Sequence, residues 1–242
     1  MKKKPLVIYW APVYDPASGL AILFEDPVSL YSDLLLQKEP TSGRRSLFSC
    51  PAVADRMKNS FVFKNTLKTK IEYDFSNPEA PIVKKIYGHD PIITKPSNLI
   101  GGSYFLIDMK WLFFSEEPVT ALVNSPMMHK PTNFSKNAFF PIGKMNIGKW
   151  FRPISHEMQL WDSSGTLEID EGDPLFYLEI LSDRKVELRR FKMDEDLFIL
   201  MHACIRSTNL LGRNTSLEER YRRFMSSKSD KLVLESIKKN LV

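Results

Sequence analysis

The sequence predicts an α+β protein, with a β-rich core, an early helical insertion and a C-terminal helical appendage. Three observations predict it. Short apolar runs bracketed by Gly, Pro, Asn and Asp clusters fill most of the chain up to residue 192. Apolar residues at helical spacing occur early, in 28–37 and 51–60, and again after residue 193. A hydrophobic fraction of 43% with 16 Phe against 10 Gly supplies a sizeable core and excludes a disordered or collagen-like chain. The expected organisation is an N-terminal strand-helix-strand part (1–95), a β-rich core (96–192) and a helical segment (193–242), with 1–192 forming one compact unit.

Each element has its own signal. Residues 6–10 (Leu-Val-Ile-Tyr-Trp) form a strand, the turn-forming 14–19 follows, and 20–24 reads as a second strand closing a hairpin. Asp26-Pro27 starts a helix in which Val28, Leu30, Tyr31, Leu34 and Leu35 recur at helical spacing. Pro51 opens a second short helix at its first position. Residues 61–64 and 69–75 alternate as strands, and 82–93 holds one further short strand. The run 103–114 is too long and aromatic for a surface strand and contributes to two core faces. Strand-like runs at 119–123, 139–142, 150–153, 158–161, 175–181 and 185–191 follow, separated by a Pro-, Met- and Asn-rich loop at 125–137 and by turn clusters at 162–165 and 170–173. Leu175, Phe176 or Tyr177, and Leu178 are expected to anchor the core. Beyond Met193 the spacing turns helical, with Leu197, Phe198, Leu200, Met201 and Cys204 in one helix and two more helices after residue 214.

The charge is unevenly spread. Lys and Arg number 34 against 29 Asp and Glu, a balance of +5, and residues 206–242 alone hold nine against four, the same +5. Leu217, Tyr221, Phe224 and Met225 form an apolar stripe there, flanked by Arg220, Arg222 and Arg223. A short helix of this kind is marginal in water by itself, so the stripe must pack on something. Leu217, Arg220, Tyr221, Arg222, Arg223 and Phe224 are therefore expected to bind a partner or sister subunit. The alternative is packing back on their own domain. Such a basic patch also suits non-specific phosphate contacts, although no nucleic-acid-reading module accompanies it.

Chemistry-bearing motifs are missing. The sequence contains no HExxH, CxxC, GxSxG, GxxxxGK[ST] or GxGxxG. No catalytic residue, metal site or cofactor is expected. Cys50 and Cys204 are read as reduced thiols without a role as nucleophile. His89-Asp90 and His156-Glu157 place an imidazole beside a carboxylate, but neighbours on a strand point to opposite faces. His129 in the Pro/Met loop and His202 in an apolar helix read as ordinary satisfied histidines. Gly101-Gly102-Ser103 precedes a strand and reads as a turn, and Glu168, Asp170, Glu171 and Asp173 read as a solvated acidic turn. The apolar run at 6–10 ends at Ala11-Pro12 and is too short for a signal-peptide core or a membrane span, so a soluble protein without membrane contact is expected.

Two stretches resemble known families. Cys50-Pro51, Asp55, Lys58-Asn59 and Phe61 match a Cys-Pro-x-x-x-Asp-x-x-Lys-Asn-x-Phe pattern. It is similar to one near the start of proteins of tailed phages, notably marine ones, and Trp10-Ala11-Pro12 fits the same group. The resemblance implies a viral source, in the virion or the host cytoplasm, but carries no activity with it. Residues 158–161 and 166–180 resemble the last strands of a dUTPase or dCTP-deaminase type β-clip, in which a Gly-Asp turn leads into a closing strand; the resemblance implies that the β-rich core is a barrel or β-clip-like sandwich. The nucleotide-handling residues of that family are missing, since 143–148 lacks the water-activating aspartate and no Arg-Ser-Gly or Arg-Ser-Ser segment lies upstream. These readings imply a non-enzymatic viral protein acting by assembly or binding, either as a virion component or as an accessory interaction protein. The partners so implied are further copies of the chain or other virion proteins. The alternatives are a diverged nucleotide-processing enzyme and a nucleic-acid-binding accessory protein.

Overall fold

The computed structural model describes residues 3–14, 20–36, 50–77, 79–92, 104–107, 110–149, 151–154, 156–206, 217–226 and 229–242. In chain order the first strands are β1 (Leu6–Pro12), β2 (Val28–Ser29), β3 (Ser60–Lys64), β4 (Thr69–Asp74), β5 (Ile82–Tyr87), β6 (Pro91–Ile92), β7 (Tyr104–Ile107) and β8 (Trp111–Ser115). They are followed by β9 (Thr120–Asn124), β10 (Ala138–Phe139), β11 (Gly143–Asn146), β12 (His156–Leu160), β13 (Ser164–Ile169), β14 (Pro174–Leu181) and β15 (Val186–Arg190). The helices are α1 (Leu30–Leu36), α2 (Pro51–Met57), α3 (Asn133–Asn137), α4 (Glu195–Arg206), α5 (Leu217–Ser226) and α6 (Ser229–Lys239).

The described residues form a mixed α+β fold in which four open sheets share one interior, and none of these sheets closes into a barrel. Their orders are β15-β1-β8, β10-β12-β7-β6, β11-β9-β14-β3-β2 and β13-β4-β5. All four sheets combine strands from before and after residue 95, so the first 192 residues are interwoven.

β1 runs parallel to β15 and antiparallel to β8. Its pleat sends Ile8 and Trp10 into the main core and Tyr9 and Ala11 to the opposite side, under the C-terminal helices. Burial on both faces explains the uninterrupted apolar run. β14 is likewise central, between β9 and β3, and Leu175, Phe176, Tyr177 and Leu178 are all buried. The Phe176 ring stacks on Phe63 at 4.7 Å, and Phe63 meets Trp111 and Phe113 edge-on.

Several elements depart from the sequence reading. Leu20–Leu23 is a 3-10 turn, not a strand. Phe24 is buried whereas Ile22 and Leu23 are exposed, and the Arg190 guanidinium donates to the carbonyls of Ala21 and Phe24, which gives the turn's backbone partners outside any sheet. The run 103–114 is two strands, with Lys110 at φ 56°, a left-handed conformation that ends strand geometry. The loop 125–137 contains α3, capped by a reciprocal pair in which Thr132 and Ser135 each accept from the other's backbone N–H. Residues 150–153 hold no strand among the described residues beyond a bridge between Leu112 and Pro153.

The C-terminal helices pack on the outer side of the β15-β1-β8 sheet. Leu197, Met201, Cys204, Tyr221, Phe224, Val233 and Ile237 form a second core with Tyr9, Phe114, Phe151 and Phe191. The chain end is tied to β15 by a Phe191–Leu241 bridge and by the Val242 N–H donating to the Arg190 carbonyl.

Candidate functional site

The five-stranded sheet has one face in the main core and another under α1 and α2. The pleat puts Phe63, Phe176 and Leu178 on the first face, and Val62 and Tyr177, which are register partners, on the second. Leu30, Leu34 and Met57 cover that second face. By the same alternation Lys64 follows Val62 onto it.

Four side chains meet there. Asp33, on the inward stripe of α1 between Leu30 and Leu34, is 3% exposed. Its Oδ1 accepts from Lys64 Nζ at 2.7 Å, and its Oδ2 lies 2.7 Å from His129 Nε2. The other ring nitrogen, Nδ1, lies 2.5 Å from the Tyr177 hydroxyl, which also accepts from the Met128 backbone N–H at 3.1 Å. His129 is brought in by the loop after β9. Ser125 fixes the start of that loop by bonding both backbone groups of Phe140, and the Thr132 cap fixes its end.

One proton arrangement satisfies all four groups. The phenol donates to Nδ1, Nε2–H donates to Asp33, and the Lys64 ammonium donates to the other carboxylate oxygen. Burial opposes ionisation of Asp33, but the hydrogen bonds from Lys64 and His129 and the charge of Lys64 outweigh it, so its carboxyl sits below the ordinary 3.8. Burial also pushes the Tyr177 phenol well above its ordinary 10.0, which keeps the O–H in place as a donor. The His129 and Asp33 side chains are 3% and 4% exposed, whereas Lys64 is 33% exposed. Lys64 is thus the end of the chain that reaches solvent, at the wall of a cavity of about 280 Å³ between residues 23–28, the end of β3 and the 171–172 turn. Trp111 also lines that cavity.

No family model and no curated protein matches the chain.

The residues singled out in the sequence are scattered. Tyr221 and Phe224 are buried in the second core, where Tyr221 also accepts from Arg152, so both are spent on the chain's own packing. Arg222 and Arg223 stay on the surface and both pair with Glu219. The side chains of Leu217 and Arg220 lie outside the described residues, as do Gly101-Gly102-Ser103 and the side chain of His156. His89 is buried with Nε2 3.3 Å from the Thr66 hydroxyl, while His202 is exposed beside Phe198. In the acidic turn, Glu168 and Asp170 pair with Lys70 and Lys68 of the neighbouring strand and its approach. Among the described residues no group of His, Cys, Asp and Glu could hold a metal ion. Neither cysteine is in a disulfide; Cys50 is exposed and Cys204 buried, where burial pushes the thiol up to about 11. No described helix is long and apolar enough to cross a membrane.

Sequence reading missed the polar chain. A trace exists for two members: Asp33 stands on the apolar stripe of its helix beside Leu34, and Lys64 takes an inward position after Val62. For His129 the sequence carries no such trace, because its loop is placed by tertiary contacts.

Proposed function

We propose that this chain acts by assembly or binding and not by catalysis, as a virion component or an accessory protein of a virus-infected cell. Its partners in this reading are further copies of itself or other virion proteins. The observation that carries the reading is the closed Lys64–Asp33–His129–Tyr177 chain. Each group has a partner inside the protein, and the imidazole and carboxylate that could serve a nucleophile are out of reach of solvent. Such a chain ties α1 and the 125–132 loop to the sheet.

The phage-like pattern points the same way, because its residues have structural roles. Pro51 occupies the first turn of α2, Asn59 takes the left-handed conformation at φ 57°, and Phe61 packs on the main core. The Asn59 side chain bonds the backbone of Ser182, Arg184 and Val186, which staples this turn to the end of β14. A surface aromatic pair is also available to a partner: Trp161, 57% exposed, stacks on Phe139 at 4.5 Å beside the edge strand β10.

Light scattering on the purified protein and mass spectrometry of purified particles test the proposal together. A defined oligomer or co-purification with particles is expected, and Trp161→Ser should weaken the association. Release of phosphate or pyrophosphate from a nucleoside triphosphate panel with Mg²⁺ would overturn it.

A further inference from the structure

We infer that Lys64 and Asp33 join in an intramolecular isopeptide bond, a covalent modification that fastens β3 to α1. This rests on the geometry of the buried polar chain and not on the assembly reading. Condensing an amine with a carboxyl group needs contact between the two and a donor for the charge that develops on the carboxyl. It also needs water kept away.

Contact comes from the pair itself, with Lys64 Nζ 2.7 Å from Asp33 Oδ1. Groups held in near-attack geometry react as if present at about 10⁵–10⁸ M. The donor is His129, whose Nε2–H lies 2.7 Å from Asp33 Oδ2, within the range of an oxyanion contact. The Tyr177 hydroxyl holds that ring from its other nitrogen. Water is kept away because the Asp33 and His129 side chains are 4% and 3% exposed, and Leu30 and Leu34 flank Asp33 on the buried stripe of α1. Lys3, Lys68, Lys70, Lys85 and Lys238 also pair with carboxylates, but each of those carboxylates is at least 38% exposed and none has an imidazole on it among the described residues. The combination is therefore particular to Asp33.

The reaction is a dehydration that needs no co-reactant. Lys64 first passes one ammonium proton to Oδ1 across the hydrogen bond. The freed lone pair on Nζ attacks Cγ, and the N–C bond forms while negative charge builds on Oδ2 against the His129 N–H. The Cγ–Oδ1 bond then breaks, and Oδ1 leaves as water with a second proton from the nitrogen. Oδ2 stays as the amide carbonyl. Lys64 is 33% exposed, which gives the water a way out. The hydrogen bonds that keep Asp33 ionised oppose the first proton transfer, so conversion is slow and freshly purified protein keeps the ion pair.

Intact-mass spectrometry of the full chain, fresh and after prolonged incubation at neutral pH, tests the bond together with protease mapping. A species lighter by one water is expected to accumulate, with a branched peptide joining Asp33 to Lys64. Lys64→Arg retains the charge pair but offers no free amine, so it should fold like the parent and keep its full mass. His129→Leu, read on protein that elutes with the parent in gel filtration, removes the donor to Oδ2 and should slow the mass loss about 10²–10³-fold. A parent that keeps its full mass throughout, a Lys64→Arg protein that loses water at the parent rate, or a branch at another lysine overturns the inference. Mass loss at the parent rate in the His129 variant overturns the part assigned to its N–H.

Discussion

Replacing Asp33 by Asn tests the polar chain most directly. The substitution keeps the size of the side chain, but it removes the charge and turns one acceptor into a donor. Either Lys64 or the His129 Nε2–H then faces an NH₂ group where it now meets an oxygen at 2.7 Å. Hydrogen bonds to charged groups contribute about 1.5–3 kcal/mol each, and breaking one side of a buried ion pair costs about 3–5 kcal/mol. Lys64 is a third exposed and can recover part of its hydration, which brings the expected loss to about 3 kcal/mol. For a chain of this size that corresponds to a melting temperature lower by about 6–12 °C. The pH dependence provides a second readout. The Asp33 carboxyl sits below its ordinary 3.8 in the folded protein, so on acidification the unfolded chain takes up the proton first. The stabilisation is complete above about pH 5 and disappears as pH falls through the lowered value. Urea unfolding followed by circular dichroism should show a gap between parent and variant that is widest near pH 7 and shrinks below about pH 4. A gap under about 0.5 kcal/mol at pH 7, or one that is constant down to pH 3, would refute the assigned role.

Other perturbations have equally definite outcomes. Tyr177→Phe leaves the Met128 N–H and His129 Nδ1 without their shared partner and should cost about 1–3 kcal/mol, read from urea midpoints. Because burial raises the Tyr177 pKa, its stabilisation is complete below the ordinary 10.0 and declines only as pH rises beyond it, so the parent should lose stability above pH 10 more steeply than the Phe variant. Phe176→Ala removes a ring stacked on Phe63 in the central strand and should cost about 3–5 kcal/mol by the same assay; a parent-like melting curve would take β14 out of the core. Thiol titration should find Cys50 reactive in the native protein and Cys204 only after denaturation, since Cys204 is fully buried with its pKa near 11. Deleting residues 214–242 should give an insoluble or unfolded product, because Val233 and Ile237 are completely buried in the second core; a soluble product with an unchanged melting temperature would contradict this packing.

Local patterns were legible wherever one short segment decides its own geometry. The α+β class, the strand at 6–10, the helix opened by Pro51, the alternation of β4 and the burial of Leu175 to Leu178 all follow from periodicity and turn chemistry in the amino-acid order. Tertiary contacts decided the rest. Residues 20–24 look like a strand, yet they coil because Arg190, 166 residues away from Phe24, supplies partners for the turn's carbonyls. The apolar stripe of α5 is visible in the sequence, but only packing shows that Tyr221 and Phe224 face the chain's own second core. The polar chain is the strongest case, since Asp33, Lys64, His129 and Tyr177 come from a helix, two strands and a loop spread over more than half the chain. Periodicity reports which face of an element is apolar. It does not report which distant face that element will meet, and a buried carboxylate acquires its partners only when the sheet brings those faces together.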